Sequence, residues 1–177
     1  MTLIISSSLN PKSKSLQLAR LCQGLYSEIC SDVTLLDMKE YDLPLCNAGS
    51  CYQNSSVKIL GEKILNAKGI LVSTPIYNYD VNAALKTLLE CTGKAWSNKV
   101  IGFMTVAGGT GSYMSLMGFI NSLMLDFRCL VVPRFVYATE ADFDQERLTN
   151  DAIKERLALL VNMHFSVSSA LTTVLNR

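Results

Sequence analysis

Three short segments of the chain hold residue types suited to binding a flat, phosphorylated ligand. The first, residues 6–15, contains five serines. Serine hydroxyls and the free N–H groups at a helix N-terminus together form a phosphate cradle, and Lys12 or Lys14 could add charge to it. Serine is also a favoured helix cap, which accounts for one of the five but not for the others. The segment therefore predicts a phosphate-binding loop.

The second segment, residues 73–80, joins an apolar run to a helical pattern and contains two tyrosines, an asparagine and a proline. Tyr77 and Tyr79 are suited to flank or stack on a ring, and Asn78 to hydrogen-bond its polar edge. A tyrosine in a loop is also often a structural anchor, so both interpretations stay open.

The third segment, residues 107–112, has three glycines in four positions. Glycine lets the backbone approach a ligand closely, although a flexible turn explains the pattern equally well. Neither G-x-x-x-x-G-K-[ST] nor G-x-G-x-x-G occurs, since Met114 stands where the second pattern needs its third glycine.

Side chains for acid–base or metal chemistry are scarce. His164 is the only histidine, and its place on the apolar face of a helical segment favours a core residue. The six cysteines show neither C-x-x-C nor zinc-like spacing, so we interpret them as buried hydrophobes in a reducing cytoplasm. Cys46 and Cys51 have a spacing that allows a disulfide, which we do not expect. We predict no metal site and no catalytic side chain, a pattern that fits chemistry done by a cofactor.

Strand and helix patterns alternate along the whole chain, and they must position these segments. Apolar, β-branched runs predict strands at residues 2–6, 33–37, 69–74, 99–106 and 130–137. Helical periodicity appears near residues 18–29, 57–64, 81–95, 113–127 and 153–171. Pro133 indicates that the last strand lies at an edge or contains a bulge, because proline lacks the N–H that a ladder needs.

This alternation predicts an α/β fold with a five-stranded parallel sheet and helices on both faces. Five strands suit the flavodoxin-like order 2-1-3-4-5, and the absence of linkers predicts a single domain over residues 1–177. In that order the loops after strands 1, 3 and 4 meet at the carboxyl edge of the sheet. The three segments described above are these loops.

The composition excludes some classes of protein and favours others. A net charge of +1 without a lysine or arginine cluster argues against nucleic-acid binding. Neither a signal peptide nor a membrane span is recognisable, so we expect a cytoplasmic protein. Apolar residues make up 49% and charged residues only 18%, which hints at surface buried in an oligomer.

The motifs resemble those of the NADPH-dependent FMN reductase family. Thr74-Pro-Ile-Tyr-Asn-Tyr79, followed by Asn82-Ala-Ala-Leu-Lys86, is similar to the family's P-E-Y-N-x-x-x-P-G-x-L-K signature. The opening loop is similar to G-S-x-R-x-x-S-x-S, and residues 107–111 are similar to the glycine-rich flavin loop. The resemblance implies that FMN is bound by Ser8, Asn10, Ser13, Ser15, Pro75, Ile76, Tyr77, Asn78, Tyr79, Ala107, Gly108, Gly109 and Gly111.

The chain departs from these motifs at several positions. Ser7 replaces a glycine and Asn10 an arginine of the phosphate loop, Ile76 replaces the signature glutamate, and Asn82-Ala83 replaces Pro-Gly. Losing the arginine's fork of donors weakens charge pairing with a phosphate, so that FMN binds less tightly or uses Lys12. The same change leaves the choice between NADPH and NADH open.

The function that the resemblance implies is hydride transfer from NADPH or NADH through FMN to a small-molecule acceptor: a flavin, quinone, azo compound or metal oxyanion. In that case the flavin, not a side chain, carries the hydride. The alternatives are a flavodoxin-type electron carrier, against which the net charge of +1 argues, and a non-catalytic protein of the same fold. We expect a homodimer or homotetramer that pairs through helices 81–95 and 113–127.

Overall fold

The computed structural model describes residues 1–145 and 147–175, in which strands and helices alternate as predicted. The strands are β1 Thr2–Ser6, β2 Val33–Asp37, β3 Gly69–Tyr77, β4 Asp80–Val81, β5 Val100–Ala107, β6 Leu130–Val131, β7 Val136–Thr139, β8 Phe143–Asp144 and β9 Arg147–Leu148. The α-helices are α1 Lys14–Ile29, α2 Ser55–Asn66, α3 Ala83–Thr92, α4 Met117–Phe127 and α5 Asp151–Leu175. Short 3₁₀ turns precede α4, at Thr110–Leu116, and follow α3, at Gly93–Trp96.

The main sheet has the order β2-β1-β3-β5-β6 with parallel neighbours, which confirms the predicted flavodoxin-like arrangement. Ser6 pairs with Asp37 on one side and with Ser73 on the other, and Pro75 pairs with Val106. Strands β1, β3 and β5 run parallel, so the loops that follow them leave the sheet at the same edge, although β3 and β5 continue beyond the last residue of β1.

The last predicted strand is divided in two. Both β6 and β7 pair with β5, and the interruption between them contains Pro133 and Arg134, whose φ is +61°. Proline cannot donate to a ladder, so pairing stops there and resumes at Val136. The expected edge position is confirmed.

Apolar side chains cover both faces of the sheet because successive strand residues point to opposite sides. Leu3 and Ile5 of β1 pack in one cluster with α2, α3 and α4. Ile4 packs in a second cluster with α1 and α5. Packing in these two clusters holds the strands in place, and the strands in turn position the loops that follow them. No helix in the described part of the chain combines the length and the apolarity needed to cross a membrane.

His164 is fully buried between α5 and the sheet, as predicted for a core residue. Its Nε2 lies 3.3 Å from the carbonyl oxygen of Val100, which can only accept, so Nε2 carries the proton. Nδ1 then accepts from the Tyr26 hydroxyl at 3.3 Å. The ring fits because Gly69 has no side chain: a Cβ there would lie 2.6 Å from His164 Cε1. Burial lowers the pKa of His164 to about 4.

Candidate active site

The three predicted loops meet at one cleft of about 290 Å³ at the carboxyl edge of the sheet. Of the residues predicted to bind the ligand, the cleft is lined by Ser8, Asn10, Ser13, Ser15, Pro75, Ile76, Tyr77, Ala107 and Gly108. Asn78, Tyr79, Gly109 and Gly111 belong to the same loops but do not line it. The predicted convergence of the loops is thus present, with four of the thirteen residues outside the cleft lining.

The serine-rich loop ends as the N-terminus of α1. Ser13 is the cap, and its hydroxyl accepts the backbone N–H of Leu16 at 3.0 Å. Its Oγ also lies 2.9 Å from Ser15 Oγ. The N–H groups of Lys14 and Ser15 belong to the first turn, where a helix has no internal acceptor and carries the positive end of its dipole. Capping and anion binding are therefore compatible in this loop.

Turns formed by side chains shape the rest of this loop. Ser8 Oγ accepts the N–H of Asn10 at 3.2 Å, and Asn10 Oδ1 accepts the N–H of Lys12 at 2.9 Å. Asn10 thus holds the turn through its oxygen while it lines the cleft.

The segment that we predicted as a strand-to-helix loop is largely a β-hairpin. Strand β3 continues to Tyr77 instead of ending near Thr74, and it pairs with the short antiparallel strand β4. Asn78 and Tyr79 form the two-residue turn, with φ of +51° and +64°. Two central residues with positive φ are typical of the type I′ turn, whose twist matches a hairpin.

The hairpin separates two concave regions. Tyr77 lines the cleft on one side and, with Asn78, a neighbouring hollow of about 530 Å³ on the other. Phe119 of α4 and Lys86 of α3 also line that hollow. Tyr79 is 56% exposed at the tip of the hairpin.

Asn82 connects the first two loops, a role that sequence reasoning missed. Its Nδ2 donates to the carbonyl oxygen of Ser7 at 2.7 Å. Its Oδ1 accepts from the hydroxyls of Ser7 at 2.8 Å and Thr74 at 3.1 Å. Asn82 is the residue before α3, yet its side chain makes no capping bond. In the sequence, Asn82 stands out only as a departure from the Pro-Gly of the family signature, and its burial and hydrogen-bond partners show the connection between the loops.

A second bond between the same loops strengthens this connection. Ser73 Oγ donates to the carbonyl oxygen of Ser15 at 2.6 Å, and the N–H of Ser7 donates to the carbonyl oxygen of Ser73 at 2.9 Å. Strand β3 is therefore hydrogen-bonded both to the residue after β1 and to the start of α1.

The glycine-rich loop leaves room above the cleft. A Cβ at Gly108, Gly109 or Gly111 would meet no other heavy atom within 4 Å, and none of these residues has positive φ. Packing of the protein itself therefore does not require glycine here. The Gly109 carbonyl oxygen accepts a hydrogen bond from the Tyr137 hydroxyl, and this bond connects the loop to β7.

The charge of the cleft is mixed. Lys12, Lys14 and Glu140 line it, and Lys14 Nζ lies 3.8 Å from Glu140 Oε1. Glu140 comes from the turn after β7, which the sequence did not suggest as part of the site. It offsets part of the positive charge that the two lysines bring to an anion.

A parallel sheet of this order, with three loops and a helix N-terminus around a cleft at its carboxyl edge, defines a flavodoxin-like protein. Residues 1–144 match the family model of NADPH-dependent FMN reductase, and the chain belongs to that family.

Two curated relatives are similar to the chain. An NAD(P)H-dependent FAD/FMN reductase of Geobacillus thermodenitrificans is 30% identical over 146 residues, which cover 78% of each chain. An NADPH:quinone oxidoreductase of Arabidopsis thaliana is 30% identical over 109 residues, or 57% of this chain and 56% of the relative.

Among solved structures, an NADH:FMN oxidoreductase in its apo form is similar to this fold. It superimposes with a TM-score of 0.75 at 18% identity, covering 93% of this chain and 88% of the other. At 18% identity, this similarity supports the assignment of the fold and nothing further.

Proposed function

We propose that this cleft binds FMN and that the chain transfers hydride from NADPH or NADH through it to a small-molecule acceptor. The observation that carries the proposal is the convergence of three loops, predicted from their residue types, on one cleft. Membership of the NADPH-dependent FMN reductase family supplies the cofactor and the reaction class.

The lining residues fit the phosphate end of FMN. Free N–H groups at the first turn of α1, the hydroxyls of Ser8, Ser13 and Ser15, and two lysines offer donors and positive charge to a dianion. Asn10 holds the loop in shape but brings no charge of its own.

The second and third loops fit the ring end. The cleft is lined by Pro75, Ile76 and Tyr77 of the second loop and by Ala107 and Gly108 of the third. A Cβ added at Gly108 would meet no heavy atom within 4 Å, so the protein leaves open space at this end of the cleft. The proposed site also includes four residues of the same loops that do not line the cleft: Asn78, Tyr79, Gly109 and Gly111.

The side chains position reactants rather than exchange protons with them. When bound, FMN supplies the hydride-accepting and hydride-donating chemistry, so no catalytic side chain is required. Tyr77 and Tyr79 shield the ring and direct the second substrate, and backbone N–H groups hold the ring's polar edge. The acceptor is a flavin, quinone, azo compound or metal oxyanion, and the relatives that reduce flavins and a quinone support the first two.

A matched pair of glycine variants tests the cleft. Gly108→Val places a branched side chain in the proposed ring space, whereas Gly24→Val adds the same side chain to α1 away from it; an added Cβ meets nothing within 4 Å at either position. FMN titration should show binding to wild type and Gly24→Val, and weak or no binding to Gly108→Val.

Anaerobic mixing of the FMN-loaded protein with NADH or NADPH should then bleach the flavin absorbance. Reoxidation by quinone or free flavin would identify the acceptor class. Equal FMN affinity in both glycine variants would contradict this location of the site, and absence of bleaching would contradict the reductase function.

We further propose that the chain acts as one domain and as a homodimer or homotetramer in the cytoplasm. Several large apolar side chains of residues 113–130 are exposed, among them Met114 and Met124. The side chain of Leu125 is 83% exposed. All six cysteines are free thiols, which suits a reducing compartment. Light scattering of wild type and Leu125→Glu tests the assembly: we expect an oligomer and a monomer, respectively.

A further inference from the structure

Three cysteines form a cluster outside the cleft. The Sγ atoms of Cys46, Cys51 and Cys91 all lie within 4.8 Å of one another. Cys46 follows β2 in the chain, Cys51 lies in the 3₁₀ turn Ser50–Gln53, and Cys91 lies near the end of α3. Because the fold, not the local spacing, brings these thiols together, the sequence offered no metal-binding pattern.

The separation of the sulfur atoms is close to that of a metal-thiolate site. Zn–S bonds of about 2.3 Å in a tetrahedral site place two sulfur atoms about 3.8 Å apart. The three thiols therefore need only small side-chain movements, of about 1 Å or less, to bind one ion.

Present partners of these thiols are weak. Cys46 Sγ lies 3.9 Å from both the Tyr52 hydroxyl and the carbonyl oxygen of Glu90. Cys91 Sγ lies 3.7 Å from the carbonyl oxygen of Pro44. A metal ion would replace these long contacts without breaking a strong hydrogen bond.

The loop that holds two of the thiols is fixed in advance by Asn47. Its Oδ1 accepts the N–H groups of Gly49 and Cys51, each at 3.1 Å, and its Nδ2 donates to Ser50 Oγ at 2.8 Å. The ligands are thus held in place before an ion arrives.

The cluster is closed on one side and open on the other. Cys51 and Cys91 are buried, at 3% and 5% exposed. Cys46 is half-buried and lies on the wall of a broad surface hollow of about 1010 Å³ that also contains Lys86 and Glu90. An ion bound by three sulfur atoms can therefore keep a fourth position toward solvent on the Cys46 side.

We propose that Cys46, Cys51 and Cys91 form a three-thiolate site for a soft divalent cation of the Zn²⁺ type, with water as the fourth ligand. Thiolate ligands select such ions over Mg²⁺ or Ca²⁺. Binding forms three metal–sulfur bonds and releases one proton from each thiol that was protonated, with no change of oxidation state. This site departs from our sequence-based expectation that the cysteines serve only as buried hydrophobes.

Metal titration of the reduced full chain tests this site independently of FMN. Co²⁺ added to chelator-treated protein should produce thiolate charge-transfer absorbance, and one equivalent of Zn²⁺ should remove it. The Tm should rise with Zn²⁺, because an ion that binds only the folded state stabilises it.

Two serine variants give the comparison. Cys46→Ser, at the open side, should bind Zn²⁺ at least tenfold more weakly, with little or no rise in Tm. Cys30→Ser, a half-buried cysteine outside the cluster, should behave as wild type. Equal Zn²⁺ affinity in the two variants, or thiols that form a disulfide in air and bind no ion when reduced, would overturn the proposal.

Discussion

At the scale of single residues, Asn10 is the position where this phosphate loop differs most in charge from the family motif. Its Oδ1 holds the turn at Lys12, but it brings no positive charge to the cleft. Charge-assisted hydrogen bonds contribute about 1.5–3 kcal/mol each, so the loop should gain affinity from an arginine.

We therefore expect Asn10→Arg to bind FMN about tenfold more tightly, with the gain largest at low salt. Asn10→Gln is the control, since it disturbs the turn without adding charge. Fluorescence titration at two ionic strengths measures the effect. If Asn10→Arg gains nothing over Asn10→Gln, the phosphate lies elsewhere.

Asn82 is the second residue whose replacement is informative. Asn82→Ala removes the donor to the buried carbonyl oxygen of Ser7. It leaves the buried hydroxyls of Ser7 and Thr74 only their contacts with the carbonyl oxygens of Ser73 and Pro75, at 3.5 and 3.2 Å. Unsatisfied buried groups cost about 1–3 kcal/mol, so the free energy of unfolding should fall by about 2–3 kcal/mol, and FMN affinity should fall as the loops separate.

Urea denaturation and FMN titration of Asn82→Ala measure both effects. Asn121→Ala, an exposed asparagine on α4, serves as the matched control and should be nearly neutral. A neutral Asn82→Ala would show that the loops hold their positions without this side chain.

At the scale of elements, the hairpin from β3 to β4 contains backbone strain at its exposed tip. Tyr79 has φ of +64°, a conformation that costs a residue other than glycine about 1–2 kcal/mol. Glycine is the preferred residue at this turn position. We propose that the tyrosine ring is kept at this position because it serves the neighbouring site.

Tyr79→Gly should therefore leave the free energy of unfolding unchanged or raise it by up to about 1 kcal/mol, because glycine removes the strain but loses more backbone entropy. Turnover of NADPH with a quinone should fall. Chemical denaturation and kcat/KM separate the two effects. Reduced stability with full turnover would instead make Tyr79 a structural anchor.

At the scale of the whole molecule, His164 connects α5, α1 and the sheet, and it makes stability depend on pH. The unfolded chain takes up a proton near pH 6.5, whereas the buried ring does so only near pH 4. The contribution of His164 to the free energy of unfolding is therefore present in full above about pH 6.5 and declines as the pH falls from there toward 4. The loss amounts to roughly 3 kcal/mol, from 1.36 kcal/mol per pH unit.

Because His164 is the only histidine of the chain, its protonation can be followed by a single imidazole signal. The ring-proton NMR signal of the folded protein should titrate near pH 4, and the urea midpoint should fall between pH 6.5 and 4.5. In His164→Asn that part of the pH dependence should disappear. A titration near pH 6.5 in the folded protein would contradict the burial argument.

Much of the architecture was predictable because it depends on local patterns. Strand runs and helical periodicity gave five parallel strands in the order 2-1-3-4-5, and Pro133 correctly indicated the edge. Serines before α1 and glycines after β5 marked two of the cleft's loops, because parallel strands place their carboxyl ends at one edge.

What depends on contacts between distant residues was not predictable. The hairpin at Asn78 and Tyr79 exists because β3 finds a partner in β4, and the role of Asn82 depends on Ser7, which is 75 positions away. Cys91 meets Cys46 and Cys51 only because α3 packs beside the loop after β2. Propensity and periodicity act locally, so the residues alone were enough to predict the elements and the sheet edge at which the three loops meet. Which side chains meet at that edge and at the thiol cluster could be seen only in the folded chain, because packing brings distant positions together.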